Sequence, residues 1–210
     1  MPIIALTFDD GPNTVITPQV LDLLEEHGIV ASFFLIAQNI TPESAEVVRR
    51  AKKMGCDIEN HTVTHTAMNE MTPEEIRAEV EACTGKIIEI TGEAPKFFRP
   101  PFIAVSRALY DTVDMTVICG VGCEDWVPAV TAQERAERVL AAAEDGQIVL
   151  LHDMEWNQNT VDALKTIIPE LKKRGFEFVT VSQLFALKNV TPRRGWLYSN
   201  ALQTVSDNRL

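Results

Sequence analysis

Cysteine is scarce. Cys56, Cys83, Cys119 and Cys123 are the four in 210 residues, and none forms a CxxC pair. That excludes a zinc ribbon or a dithiol redox centre and argues for reduced, mostly buried thiols. Cys119 and Cys123 stand four apart, a spacing open to a metal, but Ile118, Val121 and the neighbouring glycines read as a strand end and a loop. Positive charge is also short, with 19 Lys and Arg against 30 Asp and Glu and a net charge of -11. Polyanion binding needs a cationic face that releases counterions, so nucleic acid is not an expected partner. No apolar run approaches the roughly 20 residues that cross a bilayer, and the N-terminus has neither a basic region nor a cleavage signal. The expectation is a soluble chain without a membrane partner, its location left open.

Hydrophobic residues make up 46% of the chain and charged residues 23%, the balance of one large globular domain. Short apolar runs alternate with amphipathic segments, the pattern of βα units around a parallel sheet. Strands are expected at 3–8, 30–36, "CDIEN", "KFFR", "QIVLLH" and "FEFVTV". The first helix is expected with Thr17 as cap, Pro18 in its first turn and Gly28 at its end. "TPESAEVVRRAKKMG" repeats that Thr-Pro start and Gly stop, and Thr72 with Glu75 and Thr131 with Glu134 have capping-box spacing. A further helix is expected at 160–174 and a short one at "SQLFALK". The predicted architecture is an α/β barrel over 1–188. The segment 189–210 loses the periodicity and is expected to pack across one end of the barrel or to fray.

Titratable residues recur where these strands end: Asp9 and Asp10, His61 and His65, Arg99, and His152 with Asp153. In βα barrels those ends converge on one face, where active sites are built. Each motif has an ordinary reading when taken alone. "DDGP" is a turn former, His152 a core histidine, Arg99 a structural ion pair, "EDW" a turn closed by an indole, and His27 a partner for a helix C-terminus. Yet "HTVTH" sets two imidazoles four residues apart, able to face one metal if the segment is helical or tightly turned. One aspartate of "DD" would complete a two-His, one-Asp set with open positions, and the other would serve as base to a metal-bound water.

Five ordered motifs carry a family resemblance: "TFDDGP" (7–12), "HTVTH" (61–65), "RPPF" (99–102), "EDW" (124–126) and "LLHD" (150–153). The chain resembles the polysaccharide deacetylases, carbohydrate esterase family four. The resemblance implies a distorted, incomplete (β/α) barrel and one divalent metal ion, zinc, cobalt or nickel, on Asp10, His61 and His65. It implies Asp9 as general base, paired with Arg99, and His152 as general acid, held protonated by Asp125. Trp126 and Leu150 would wall a pocket for the acetyl methyl, and the Phe102 backbone N–H would be an oxyanion donor. The implied partner is an acetylated polysaccharide or oligosaccharide; nothing bears on oligomeric state, and family members commonly work outside the cell.

The third motif commonly reads RPPYG in N-deacetylases, whereas here it is "RPPFIAVS", without the phenolic hydroxyl and the glycine. "PKFFRPP", "DWVPAVTAQERA" and "RGFEFVTVSQLFALK" are similar to the acetylxylan esterase branch. The expected activity is hydrolysis of O-acetyl esters on xylan or its oligosaccharides. The alternatives are an N-acetylglucosamine deacetylase acting on chitin or peptidoglycan, and a carbohydrate-binding module without turnover, which the intact motifs disfavour. Trp156 either stacks on a sugar ring or packs on the barrel rim.

Overall fold

The computed structural model describes residues 1–207. Its elements in chain order are β1 (Ile3–Asp9), α1 (Ile16–His27), β2 (Ser32–Leu35), α2 (Pro42–Lys53), β3 (Asp57–Asn60), α3 (Pro73–Thr91), β4 (Phe97–Phe98) and α4 (Arg107–Thr112). There follow β5 (Thr116–Ile118), β6 (Val121–Gly122), α5 (Ala132–Ala142), β7 (Ile148–His152), α6 (Gln158–Lys173), β8 (Glu177–Phe178), α7 (Val181–Leu187) and β9 (Leu197–Tyr198). The sheet runs β6-β7-β1-β2-β3-β4-β5-β9, with β8 paired to β1. Every pairing between these strands is parallel. This is a curled, incomplete (β/α) barrel.

The strands alternate between two apolar environments, which explains why β1 is hydrophobic on both faces. Ile4, Leu6 and Phe8 pack with Val20, Leu21 and Leu24 of α1 and with Leu164 and Ile168 of α6. Ile3 and Ala5 instead face the barrel interior with Phe34, Phe97, Ile118 and Ile148. The same alternation carried onward puts Asp9, His61, Arg99, Leu150 and His152 on the interior side, at the ends where the strands stop.

Capping follows the sequence at most helix starts. Thr41, Thr72, Thr131 and Thr180 all close capping boxes, and Gly28 and Gly92 end their helices in the left-handed conformation. The first helix differs from expectation. It begins at Ile16, and Asn13 Oδ1 accepts from the N–H groups of Val15, Ile16 and Thr17. Thr17 lies inside the helix and gives its hydroxyl to Asp153 Oδ2 at 2.5 Å. The "FEFVTV" strand is cut to two residues because Thr180 turns out of the sheet to cap α7.

Residues 189–207 include β9, which pairs with β5. Beyond it, Ser199 C=O accepts from Ile148 N–H at 3.0 Å and Asn200 bridges Gln147, so this segment spans from β5 to the base of β7. The last three residues of the expected 189–210 tail lie outside the described residues. All four cysteines are free and buried, and burial pushes the Cys123 thiol up to about 12.

Candidate active site

Asp9 and Asp10 are adjacent, so an extended strand would send them to opposite faces. Asp10 breaks the alternation with φ at 73°, which turns its carboxylate back toward the barrel mouth. Thr62 (φ 72°), His65 (φ 58°), Phe102 (φ 57°), Ile103 (φ 52°) and Glu124 (φ 60°) adopt the same left-handed region. Apart from Asn189, the non-glycine residues of this kind all sit in or directly beside four of the five motifs, which is where strained backbone serves a site.

The "HTVTH" segment is a tight turn rather than a helix. It brings His61 Nε2 to 3.4 Å and His65 Nε2 to 3.2 Å from Asp10 Oδ1. Neither contact has hydrogen-bond geometry, and Asp10 Oδ1 is buried without a hydrogen-bond partner. Ligand atoms of Asp10, His61 and His65 all lie within 4.8 Å of one another. The Nδ1 of His61 faces the Arg99 carbonyl at 2.5 Å. A carbonyl only accepts, so Nδ1 carries the proton and Nε2 offers its lone pair to the centre of the cluster. Burial, then the neighbouring His61, pushes the His65 pKa down, which keeps that imidazole neutral and able to ligate. Burial alone would raise the Asp10 carboxyl, but His61, His152 and His65 together hold it below its ordinary value. An unpartnered carboxylate oxygen and two converging nitrogen lone pairs fit a divalent cation.

Asp9 is buried and its Oδ1 accepts from Arg99 Nη1 at 2.5 Å, while Oδ2 lies 3.7 Å from His61 Nε2, facing the cluster. The guanidinium of Arg99, itself fully buried, lies 4.2 Å above the Phe34 ring. Gly120 makes room for it, since a Cβ there would come within 3.2 Å of Arg99 Nη2 and 3.0 Å of Leu150 Cβ.

His152 is the register partner of Asp9 across β7 and β1. Its Nδ1 donates to Asp125 Oδ1 at 2.8 Å, and its backbone N–H donates to Asp125 Oδ2 at 2.7 Å. Burial opposes protonation, but the hydrogen bond and charge of Asp125, with Asp9 and Asp10 behind it, raise the His152 pKa to about 9. Trp126 meets the imidazole edge-on at 5.5 Å and is 47% exposed. Trp126 and Leu150 both close over Gly122, where an added Cβ would lie 3.2 Å from the indole and 3.6 Å from Leu150 Cδ2. Phe102 is 71% exposed, with its ring 4.7 Å from that of His65. Trp156 is half exposed on the loop after β7. A cleft of roughly 660 Å³, lined by Asp10, His65, Asn13, Gln38, Thr64 and Glu155 among others, opens beside the cluster.

A model of the family described as polysaccharide deacetylase matches residues 1–116, more than half of the chain. The chain belongs to the polysaccharide deacetylase family. A bifunctional xylanase/deacetylase of Pseudobutyrivibrio xylanivorans is 45% identical over 90% of this chain and 31% of its own length. The Xyl-CE4 domain of a multidomain xylanase from the hindgut metagenome of Trinervitermes trinervoides superposes with a TM-score of 0.93 at 44% identity, covering 95% of this chain and 98% of that one. A family 4 acetyl xylan esterase from Clostridium thermocellum in complex with a cobalt ion superposes with a TM-score of 0.93 at 38% identity, covering 96% and 100%. Peptidoglycan-N-acetylglucosamine deacetylases and a chitooligosaccharide deacetylase also match, at lower identity. The chain spans about a third of the length of the first curated relatives.

Thr160, Arg135 and Asn157 support this site and had no signal in the sequence. Asp125 Oδ2 also accepts from the Thr160 hydroxyl at 2.9 Å. Arg135, buried in α5, donates to Asn157 and Thr160 and to the carbonyls of Val127 and Val130, which clamps the "EDW" loop to α6. Asp153 is fully buried against Gly11, where a Cβ would come within 2.8 Å of both carboxylate oxygens, and burial pushes its pKa up to about 7. That contact explains the glycine of "DDGP".

Proposed function

We propose that this chain is a metal-dependent hydrolase that removes acetyl groups from polysaccharide, with O-acetyl esters of xylan or xylo-oligosaccharides as its substrates. The single observation that carries the reading is the convergence of Asp10, His61 and His65 on one point, with Asp9 and His152 in register on adjacent strands beside it. Asp10, His61 and His65 would hold one divalent ion, zinc, cobalt or nickel, which when bound supplies a Lewis acid for the acetyl carbonyl and lowers the pKa of the attacking water.

The chain's own groups supply the remaining steps. Asp9 Oδ2 takes a proton from the attacking water, while the Arg99 bond to Oδ1 fixes the carboxylate's orientation. Among the described residues nothing accepts from the Phe102 N–H, which the left-handed backbone leaves available to the developing oxyanion. His152 enters the reaction protonated, because Asp125 holds its Nδ1–H, and Nε2–H then protonates the departing sugar oxygen. Trp126 and Leu150 form the wall against which the acetyl methyl packs. Acetate and the free hydroxyl leave.

The ester assignment is supported by the likeness to a xylanase/deacetylase at 45% identity and to a family 4 acetyl xylan esterase at 38%, and by Phe102, which lacks the hydroxyl of the RPPYG form of the motif. Acetate release from acetylated xylan and from chitooligosaccharides, measured side by side, tests it. Faster release from xylan is the expected result, and release from chitooligosaccharides alone would replace the ester reading with the N-deacetylase one.

A further inference from the structure

The connection between β2 and α2 touches both halves of the cation cluster. Ile36 N–H donates to Gly11 C=O at 2.9 Å, and the side-chain amide of Asn39 donates to Asp10 C=O at 2.9 Å. Two consecutive carbonyls of the "DDGP" turn are therefore held from one side. On its other side the same connection donates from Ala37 N–H to Thr62 C=O at 3.0 Å and from Gln38 N–H to Val63 C=O at 3.2 Å. Those are two consecutive carbonyls of the loop that carries His61 and His65. Ala37–Asn39 form a single 3₁₀ turn, so both ligand-bearing loops are fastened to one short rigid piece. That piece is itself anchored: Asn39 N–H donates to Ile36 C=O, and Asn39 C=O accepts from the Ser44 hydroxyl in the cap of α2.

We propose that Asn39 is a positioning residue for the cation site, its amide setting the Asp10 carboxylate at ligand distance from His61 and His65. The proposal rests on the reading of that cluster as a divalent-cation site. Asp10 sits in a left-handed backbone region that non-glycine residues adopt uncommonly, aspartate more readily than most, and without a bond to its carbonyl the peptide would relax toward ordinary extended backbone and swing the carboxylate away. Of the four hydrogen bonds that fasten the two loops, three come from backbone N–H groups and are indifferent to side-chain identity. The Asn39 bond alone depends on the residue.

The test uses the whole chain stripped of metal by a chelator, with zinc affinity measured by competition against a chromophoric chelator. Far-UV circular dichroism and the melting of the metal-free protein are followed in parallel. Asp10→Ala is expected to lose measurable zinc binding. Asn39→Ala is expected to bind zinc about 10–100-fold more weakly, the range usual for residues that orient a metal ligand, with metal-free melting close to the parent's. A merely structural role would lower the melting temperature and leave affinity alone. Asn39→Leu, matched in shape but without a donor, replaces the alanine variant should that one fail to fold, and the same weakening is expected. Zinc affinity within twofold of the parent in the folded Asn39 variants, with Asp10→Ala unable to bind, overturns the positioning role and leaves the cation reading standing. Parent-like zinc binding by Asp10→Ala overturns both.

Discussion

One backbone angle separates two adjacent aspartates and, under the proposed function, gives them different work. Asp9 keeps the strand alternation and reaches Arg99, whereas Asp10 leaves it at φ 73° and joins the two imidazoles. Asp9→Asn removes the base and no ligand, so metal affinity is expected to survive while acetate release falls by roughly 10²–10⁴, the usual contribution of one general base. A variant with parental turnover would show that the proton goes elsewhere. His152 gives a pH signature. Its pKa is raised to about 9 chiefly through Asp125, against the effect of burial, so the acid form persists well above the ordinary 6.5 and is lost as pH rises through the raised value. Bound divalent charge lowers that value. Asp125→Asn is therefore expected to move the alkaline limb of kcat/KM to lower pH, whereas an unmoved limb would separate His152 from that limb. The part of Asp125 was implied only by the family resemblance, whereas Asp9, Asp10, Arg99 and His152 were legible in the sequence because each lies at or just past a strand end, where local pattern and chemistry coincide. Asn39, Asn157 and Thr160 were not, since a polar residue that holds another across 29 to 35 positions leaves no local trace.

At the level of elements, helices read well at "TPES", "TPEE" and "TAQE", where Thr stands before Pro or three residues before Glu. The first helix broke that rule because Asn13 reaches three N–H groups and frees the Thr17 hydroxyl for the buried Asp153. Short strands were the least legible. β5, β6 and β9 are two or three residues long, and a period of two cannot be read from so few positions. Helix α5 read as an ordinary amphipathic segment, yet Arg135 on its buried side is a strut for the acid-holding loop. Arg135→Ala leaves Asn157 Oδ1 and the Thr160 hydroxyl oxygen without their donor, while the Val127 and Val130 carbonyls keep bonds from the Val130 N–H and the Asn159 amide. A loss on the order of 2 kcal/mol is expected in urea denaturation, from two unmet buried groups. A loss below about 0.5 kcal/mol, the scale of neutral surface substitutions, would show that the clamp contributes little.

For the whole molecule, the barrel's apolar layers and its mouth are separable. The packing of β1 and β7 with α1 and α6 engages none of the cation ligands, so a chelator is expected to abolish turnover and leave the far-UV spectrum unchanged. The barrel class and the face carrying the site were legible from alternating βα units, but the part of the C-terminal segment was not. Its link from β5 to the base of β7 is made largely by main-chain hydrogen bonds, which carry no sequence signature. The most direct measurement is acetate release from acetylated xylan by chelator-stripped protein during stepwise return of zinc. The account predicts no release from the stripped protein and a rise that saturates at one equivalent. Undiminished release without metal, or no recovery of a folded protein at any zinc level, would contradict it.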